Sequence, residues 1–350
     1  MNHQRKLTRR ELLAAAATLG GVAMLPRAAW AADPLVAATF PGTWSEAQRT
    51  ILKPAFEKAT GASVTQSIIL GTDQVSRLIA AKGQRPPFDV AIFDSPQVLD
   101  AVAQGLITEF PMEKSANFKD LLPPFQDKWG PKISMQVIGI AYNPKTVKTP
   151  PRNWSDLWDA KYKGRVGLTA LNSQLGIAFL AELNRVRGGT DVNFDPAFKA
   201  LRELLPSVGA VAANLGAYAT LWQQEQIDIA PYNFNFVQTL KGKGVPVEFV
   251  VPETGAAGWD TSLHIVANTA NAELALKYID LSIDAAVQAA MMKPPFDAIP
   301  TNSKVELAGD ITTTIAKTSS DLGKIRGFDW AKLNPQRGAL IERFNREIRT

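Results

Sequence analysis

The sequence predicts an α/β protein of two domains behind an N-terminal export signal. Three observations carry that prediction. Strand-like and helix-like segments alternate from residue 35 onward, the pattern of a parallel sheet covered by helices. The run Phe88-Asp89-Val90-Ala91-Ile92-Phe93 is almost continuously apolar, as a strand buried on both faces is. Finally, 350 residues are more than one core of ordinary size takes up.

In chain order, the signal comes first. Arg9 and Arg10 precede an apolar stretch from Leu12 to Leu25, and Ala29-Trp30-Ala31 has the small-x-small form of a cleavage site. The paired arginines resemble the twin-arginine type, which a receptor reads and which does not anchor. The apolar run is about 14 residues, short of the roughly 20 that span a bilayer. Cleavage after Ala31 would leave 319 residues. Taking the signal's five basic residues and one acid from the chain's 38 and 33 lowers the net charge from +5 to +1. That near-neutral remainder lacks the basic patch or stripe that nucleic-acid binding needs.

A strand is expected at Leu35–Phe40, then a turn at Pro41-Gly42. Thr43 and Glu46 have capping-box spacing, opening a helix that runs to Thr60 before Gly61. A strand at Ser63–Ile69 and a helix from Asp73 to Ala81, with Val75, Leu78 and Ile79 inward, follow. After the apolar strand at 88–93, Ser95 suits an N-cap and Pro96 the first helical turn. Further strands are read at Met135–Tyr142, Lys163–Thr169, Asp228–Ala230, Val245–Val251 and Ser262–Ala267. Helices are read at Ser173–Val186, Ala197–Leu205, Ala217–Gln224, from Asn271, and at Pro335–Arg349.

Composition excludes several chemistries. With no cysteine, thiolate metal sites and cysteine nucleophiles are ruled out. His264 is the one histidine after the signal and reads as a core or surface residue, so no metal or other cofactor is expected. A P-loop, a G-x-S-x-G elbow and a G-x-G-x-x-G fingerprint are all lacking. An α/β enzyme without a recognisable catalytic motif is the alternative class.

Several pieces together resemble one family. They are Thr43-Trp44-Ser45-Glu46, Pro87-Phe88-Asp89-Val90 leading to Asp94-Ser95, Gly139 to Asn143, Trp154-Ser155-Asp156-Leu157-Trp158 before Tyr162-Lys163-Gly164, and Gly258-Trp259-Asp260-Thr261-Ser262. The chain resembles the periplasmic solute-binding proteins of ABC importers, especially the polyamine-binding branch. That resemblance implies a type II periplasmic binding fold: two α/β lobes hinged by two crossing strands, near Ile138–Asn143 and Ser262–Val266. Lobe one would comprise 33–141 plus 263–308 and lobe two 142–262, with C-terminal helices (309–350) against lobe two. It also implies a periplasmic location, an ABC permease as partner, no catalysis and a monomer.

The resemblance suggests which residues hold the solute. Trp44 follows the first strand and is a ligand contact or a core aromatic. Asp94 and Ser95 close the third strand, where Asp94 takes a ligand amine or caps the helix. Tyr232 and Trp259 match cleft aromatics, and rings around a cation contribute roughly 0.5–2 kcal/mol. At positions where polyamine binders carry acids, this chain has Leu171, Gln174 and Thr261. Asp260 lies one residue from Thr261, hence on the opposite face of a regular strand. These substitutions favour an amine of single charge, a zwitterion or an aromatic solute, with spermidine or putrescine as the alternative. Trp44→Ala and Trp259→Ala are expected to cost affinity with little loss of stability.

Overall fold

The structure, a computed structural model, describes residues 34–348; the export signal expected over residues 1–31 lies outside them. The first half runs β1 (Leu35–Thr39), α1 (Thr43–Ala47), a π-helical turn (Gln48–Leu52), α2 (Lys53–Thr60), β2 (Val64–Ile68), α3 (Gly71–Ala80), β3 (Val90–Asp94) and α4 (Ser95–Ala103). It continues through β4 (Lys132–Tyr142), β5 (Val166–Thr169), α5 (Gln174–Val186), α6 (Asp195–Leu204), β6 (Val208–Ala212) and α7 (Leu215–Gln223). The rest is β7 (Ile229–Asn233), α8 (Phe234–Gly242), β8 (Glu248–Val250), β9 (Ala257–Ile265), α9 (Ala272–Ser282), α10 (Ala285–Met291), and α11 to α14 at Asp310–Thr314, Ser319–Leu322, Trp330–Leu333 and Arg337–Glu347.

All nine strands join one sheet in the order β2-β1-β3-β9-β4-β7-β5-β6, with β8 beside β4. Its flanks are parallel: β1 lies between β2 and β3, and β5 between β6 and β7. The centre is antiparallel and built on the two longest strands. β9 pairs with β4 over Ala257–Ser262 and with β3 over Thr261–Ile265. β4 pairs with β9 up to Ile138 and with β7 from Ile138 to Tyr142. Each long strand thus serves both flanks, giving two α/β lobes joined by two crossing strands.

The core follows the strand alternation. Val90, Ile92, Leu263 and Ile265 face α2 and α9, where Phe56, Tyr278 and Ile279 are fully covered. Ala91 and Phe93 point the other way, toward Leu78 of α3 and Ala101 of α4. The other lobe has its own larger core around Val166, Ile229, Phe198 and Phe234. The C-terminal Ile311, Leu322, Trp330, Leu340 and Phe344 belong to that core.

Four local expectations need correction. The chain enters α1 through Gly42 at φ 81°, so Thr43 is already helical and cannot cap; Glu46 pairs with Arg49 instead. Ser95 is the first residue of α4, and Asp94 holds the N-cap position without capping. Ile79 is 46% exposed, because α3 starts at Gly71 and turns Gly71, Gln74 and Leu78 inward. The Gln74 side chain there serves the Ile69 carbonyl and the Ile92 N–H. The helix expected from Asn271 is two, divided where the Asp284 carboxylate caps α10.

Candidate functional site

The carboxyl ends of β3 and β7 lead straight into α4 and α8, and β5 reaches α5 through residues 170–173, so three helix N-termini converge beside the central strands. In open α/β sheets this is where ligands sit. Register fixes which side chains face each other. Asp94 pairs with Thr261 across β3 and β9, and the Thr261 hydroxyl donates to its carboxylate at 2.7 Å. Trp259, two residues back on the same face, pairs with Gln136 of β4. Gln136 in turn accepts from Asn233, the last residue of β7, at 2.7 Å. One polar row therefore crosses the sheet from lobe one to lobe two.

Trp44 closes this row from α1. Its ring meets Phe40 edge-on at 6.2 Å and lines a gap with Gln136, Asn235, Phe236, Met291 and Phe296. From the opposite end of the chain, Arg337 donates to Gln174 Oε1 at 3.0 Å and to the Asn172 carbonyl at 3.2 Å.

Two features set this region apart from an ordinary core. Burial pushes the Asp94 carboxyl up to about 6, against the hydrogen bond from Thr261 and the attraction of Arg337. The Trp259 N–H also favours the ionised form, though it makes no hydrogen bond of full geometry. Secondly, Gln97 Oε1, Gln174 Nε2, Asn233 Oδ1, Asn235 Oδ1 and Trp259 Nε1 are all buried without a hydrogen-bond partner. Native interiors leave few such groups unmet, so a concentration of them calls for an explanation.

A larger hollow of about 310 Å³ lies on the other face of β9, lined by Ser95, Lys132, Asp260, Phe328 and Trp330, with Trp259 at its border. Its Lys132 pairs with Asp260 Oδ2 at 2.8 Å, while Asp260 Oδ1 is buried without a hydrogen-bond partner. The strand-end region gathers five such unmet groups against the single Asp260 Oδ1 of the roomier hollow.

The sequence profile of the bacterial extracellular solute-binding proteins matches residues 85–313. This chain belongs to that family. The solute-binding protein is 28% identical over 252 residues to the spermidine/putrescine-binding periplasmic protein of Escherichia coli (strain K12), covering 68% of this chain and 70% of that one. Its fold superposes with TM-score 0.74 on an ABC transporter structure from Clostridium perfringens, at 20% identity, covering 90% and 99% of the two chains. The TM-score is 0.71, at 16% identity, with a spermidine/putrescine ABC transporter substrate-binding protein from Streptococcus pneumoniae, covering 88% and 99%. The chain is accordingly a bacterial extracellular solute-binding protein. Among the described residues no helix is long and apolar enough to cross a membrane.

The eight residues singled out in the sequence fall into three groups. Trp44, Asp94, Trp259 and Thr261 come together around the polar row, and Gln174 joins them through Arg337. Ser95 and Asp260 meet each other, the Ser95 hydroxyl donating to the Asp260 carbonyl at 3.3 Å, with the Asp260 carboxylate on the Lys132 side. β9 is regular there, since the bulge lies in β4 between Lys132 and Ser134, so Asp260 stays on the face opposite Thr261. Tyr232 is fully buried between the parallel rings of Trp222 and Phe236, at 6.4 and 6.0 Å.

Trp259 is only 5% exposed and packed in the large core, so truncating it would also open a cavity; the expectation of little stability loss holds better for Trp44, which is half-buried. Sequence reasoning missed Gln136, Asn233, Asn235 and Arg337. Gln136 carried a signal, as a lone amide inside the apolar strand Met135–Tyr142. Arg337 carried none, sitting in a polar tail.

His264, fully buried, is held to about 4 by burial and is neutral. The Trp129 carbonyl can only accept, so Nδ1 carries the proton and Nε2 accepts from Ser262. Among the described residues no cluster of histidines and carboxylates is arranged to hold a metal ion.

Proposed function

We propose that this protein captures a small organic solute, an amine, zwitterion or aromatic compound, between its two lobes and releases it to its permease unchanged. The observation that carries this reading is the row Asp94–Thr261–Trp259–Gln136–Asn233, with unmet hydrogen-bonding groups at a three-helix convergence. Asp94 and Trp44 supply a carboxylate and a ring, the pair that recognises an ammonium group. The lobes we take to be residues 35–141 plus 263–308 and 142–262, with the C-terminal segment on the second.

The gap beside Trp44 is only about 20 Å³, room for a single water. Entry of a solute therefore requires the lobes to part, and ligand contacts to both would favour the closed form. Polyamines are the second reading, favoured by the E. coli relative. Against it, Leu171 is 3% exposed and apolar, and Gln174 faces a guanidinium. A thermal-shift screen of amines, amino acids, organophosphonates and aromatic acids tests the proposal. A solute that raises the melting midpoint by mass action and is recovered chemically unchanged supports it. No stabilisation by any of these classes, or turnover of the one that binds, would overturn it.

A further inference from the structure

A cation stands beside this site and is not used up by the fold. Arg337 opens α14 and is more than half buried, yet forms no ion pair among the described residues; Asp100 and Asp94 attract it only from beyond contact. Two of its five N–H donors go to Gln174 Oε1 and the Asn172 carbonyl, leaving three. Because a guanidinium only donates, it also fixes which way Gln174 points. The amide oxygen faces Arg337, and Nε2 is left as a buried donor with no acceptor.

Nearby, Trp259 Nε1 is a second unmet donor, on a ring that is 5% exposed. It lies within reach of Asp94, as does the field of Arg337. Arg337 and Gln174 Nε2 thus offer N–H groups and positive charge, while the Asp94 carboxylate and Asn235 Oδ1, whose own amide nitrogen already donates to the Asp297 carbonyl, offer acceptors. A ligand with one kind of end group would leave either the donors or the acceptors unmet, each buried one at the cost of its desolvation.

We propose that Arg337 makes the site selective for zwitterionic amino acids: Arg337 and Gln174 Nε2 take the acidic group, and Asp94 takes the amine. This deepens the solute-capture reading and rests on it. Arg337 comes from the C-terminal segment while Asp94 ends β3, so the same ligand would also draw that segment and lobe one together.

The test is calorimetric titration of the full-length mature chain with ω-amino acids from glycine to 5-aminopentanoate. Matched n-alkylamines, carboxylates and diamines are the controls. At least one amino acid should bind 100-fold more tightly than its monoamine, carboxylate and diamine counterparts. Arg337→Met should erase that preference, lowering amino-acid affinity 30-fold or more while leaving monoamine affinity within threefold. Arg337→Lys, which keeps the charge without the fork, should restore part of it. Tighter binding of a diamine or monoamine would overturn the zwitterion assignment while leaving solute capture standing. So would an equal loss for every ligand in Arg337→Met, which would mark Arg337 as a mere tie between segments, or binding of no amino acid at all. Should Arg337→Met fail to fold, the Arg337→Lys selectivity ratio decides alone, and a ratio unchanged from wild type counts against the proposal.

Discussion

Asp94 and His264 lie on adjacent antiparallel strands and titrate in opposite senses. Folding raises the Asp94 carboxyl from 3.8 to about 6, so the folded chain holds that proton more tightly, and stability contributed by it is lost as pH rises from about 4 through 6. Folding lowers His264 from 6.5 to about 4, so the folded chain holds that proton less tightly, and stability is lost as pH falls through the same window. In the wild type the two slopes offset each other. We expect Asp94→Asn to leave the His264 slope alone, with stability rising between pH 4 and 6.5, and to stabilise the ligand-free protein at pH 7 by about 1–3 kcal/mol. Denaturant titrations across that range check both, and an unchanged flat profile in the variant would refute the assignment. Function should move the other way. Affinity for an amine-bearing solute should climb with pH up to about 6 and level off above it, and Asp94→Asn should abolish that climb.

Within elements, close packing of β9 on β4 positions the site. A Cβ added to Gly258 would meet the Gln136 carbonyl oxygen at 2.3 Å, backbone that cannot swing aside. Gly258→Ala should therefore force the crossing strands apart, costing about 2 kcal/mol or more and weakening solute binding in step. Wild-type affinity and stability would show that the strand contact is not what orders Trp259 and Gln136. The indole itself can be dissected. Trp259→Ala should cost about 3–5 kcal/mol of stability as a cavity forms. Trp259→Phe keeps one ring and removes the N–H together with part of the indole, so it should lower solute affinity at a smaller cost in stability than Trp259→Ala.

Across the whole molecule, the C-terminal segment is bound to lobe two by charge as well as by apolar contact. Glu182, 1% exposed, accepts from Arg185 and Arg326, while Arg343 reaches Asp195. Arg337 follows that segment, so it should travel with lobe two when the site opens. Hinged motion is open to direct measurement because the chain has no cysteine. Lys58→Cys and Val192→Cys place one label on each lobe at exposed positions. Their distance distribution should be broad without solute and contract to a single short population with it. An identical distribution in both conditions would argue against lobe closure.

What the chain determines by itself is the order of its elements. Period-two and period-3.6 apolar patterns, with Gly61 at φ 71° ending α2 and a continuous apolar run at β3, mark strands and helices through local sterics and burial. The edge strand β6, Val-Gly-Ala-Val-Ala, escaped this reading because small residues carry little periodic signal. Half the site was legible too, since Asp94 and Thr261 stand at the ends of readable strands. Tertiary structure alone decided the rest. Only the β3–β9–β4 register tells that Thr261 faces Asp94 while Asp260 turns to Lys132, because a strand's two faces are indistinguishable until its neighbours are known. Only the folded chain brings Arg337 to Gln174, 163 residues earlier, since nothing local in a polar tail says which distant surface it will cover.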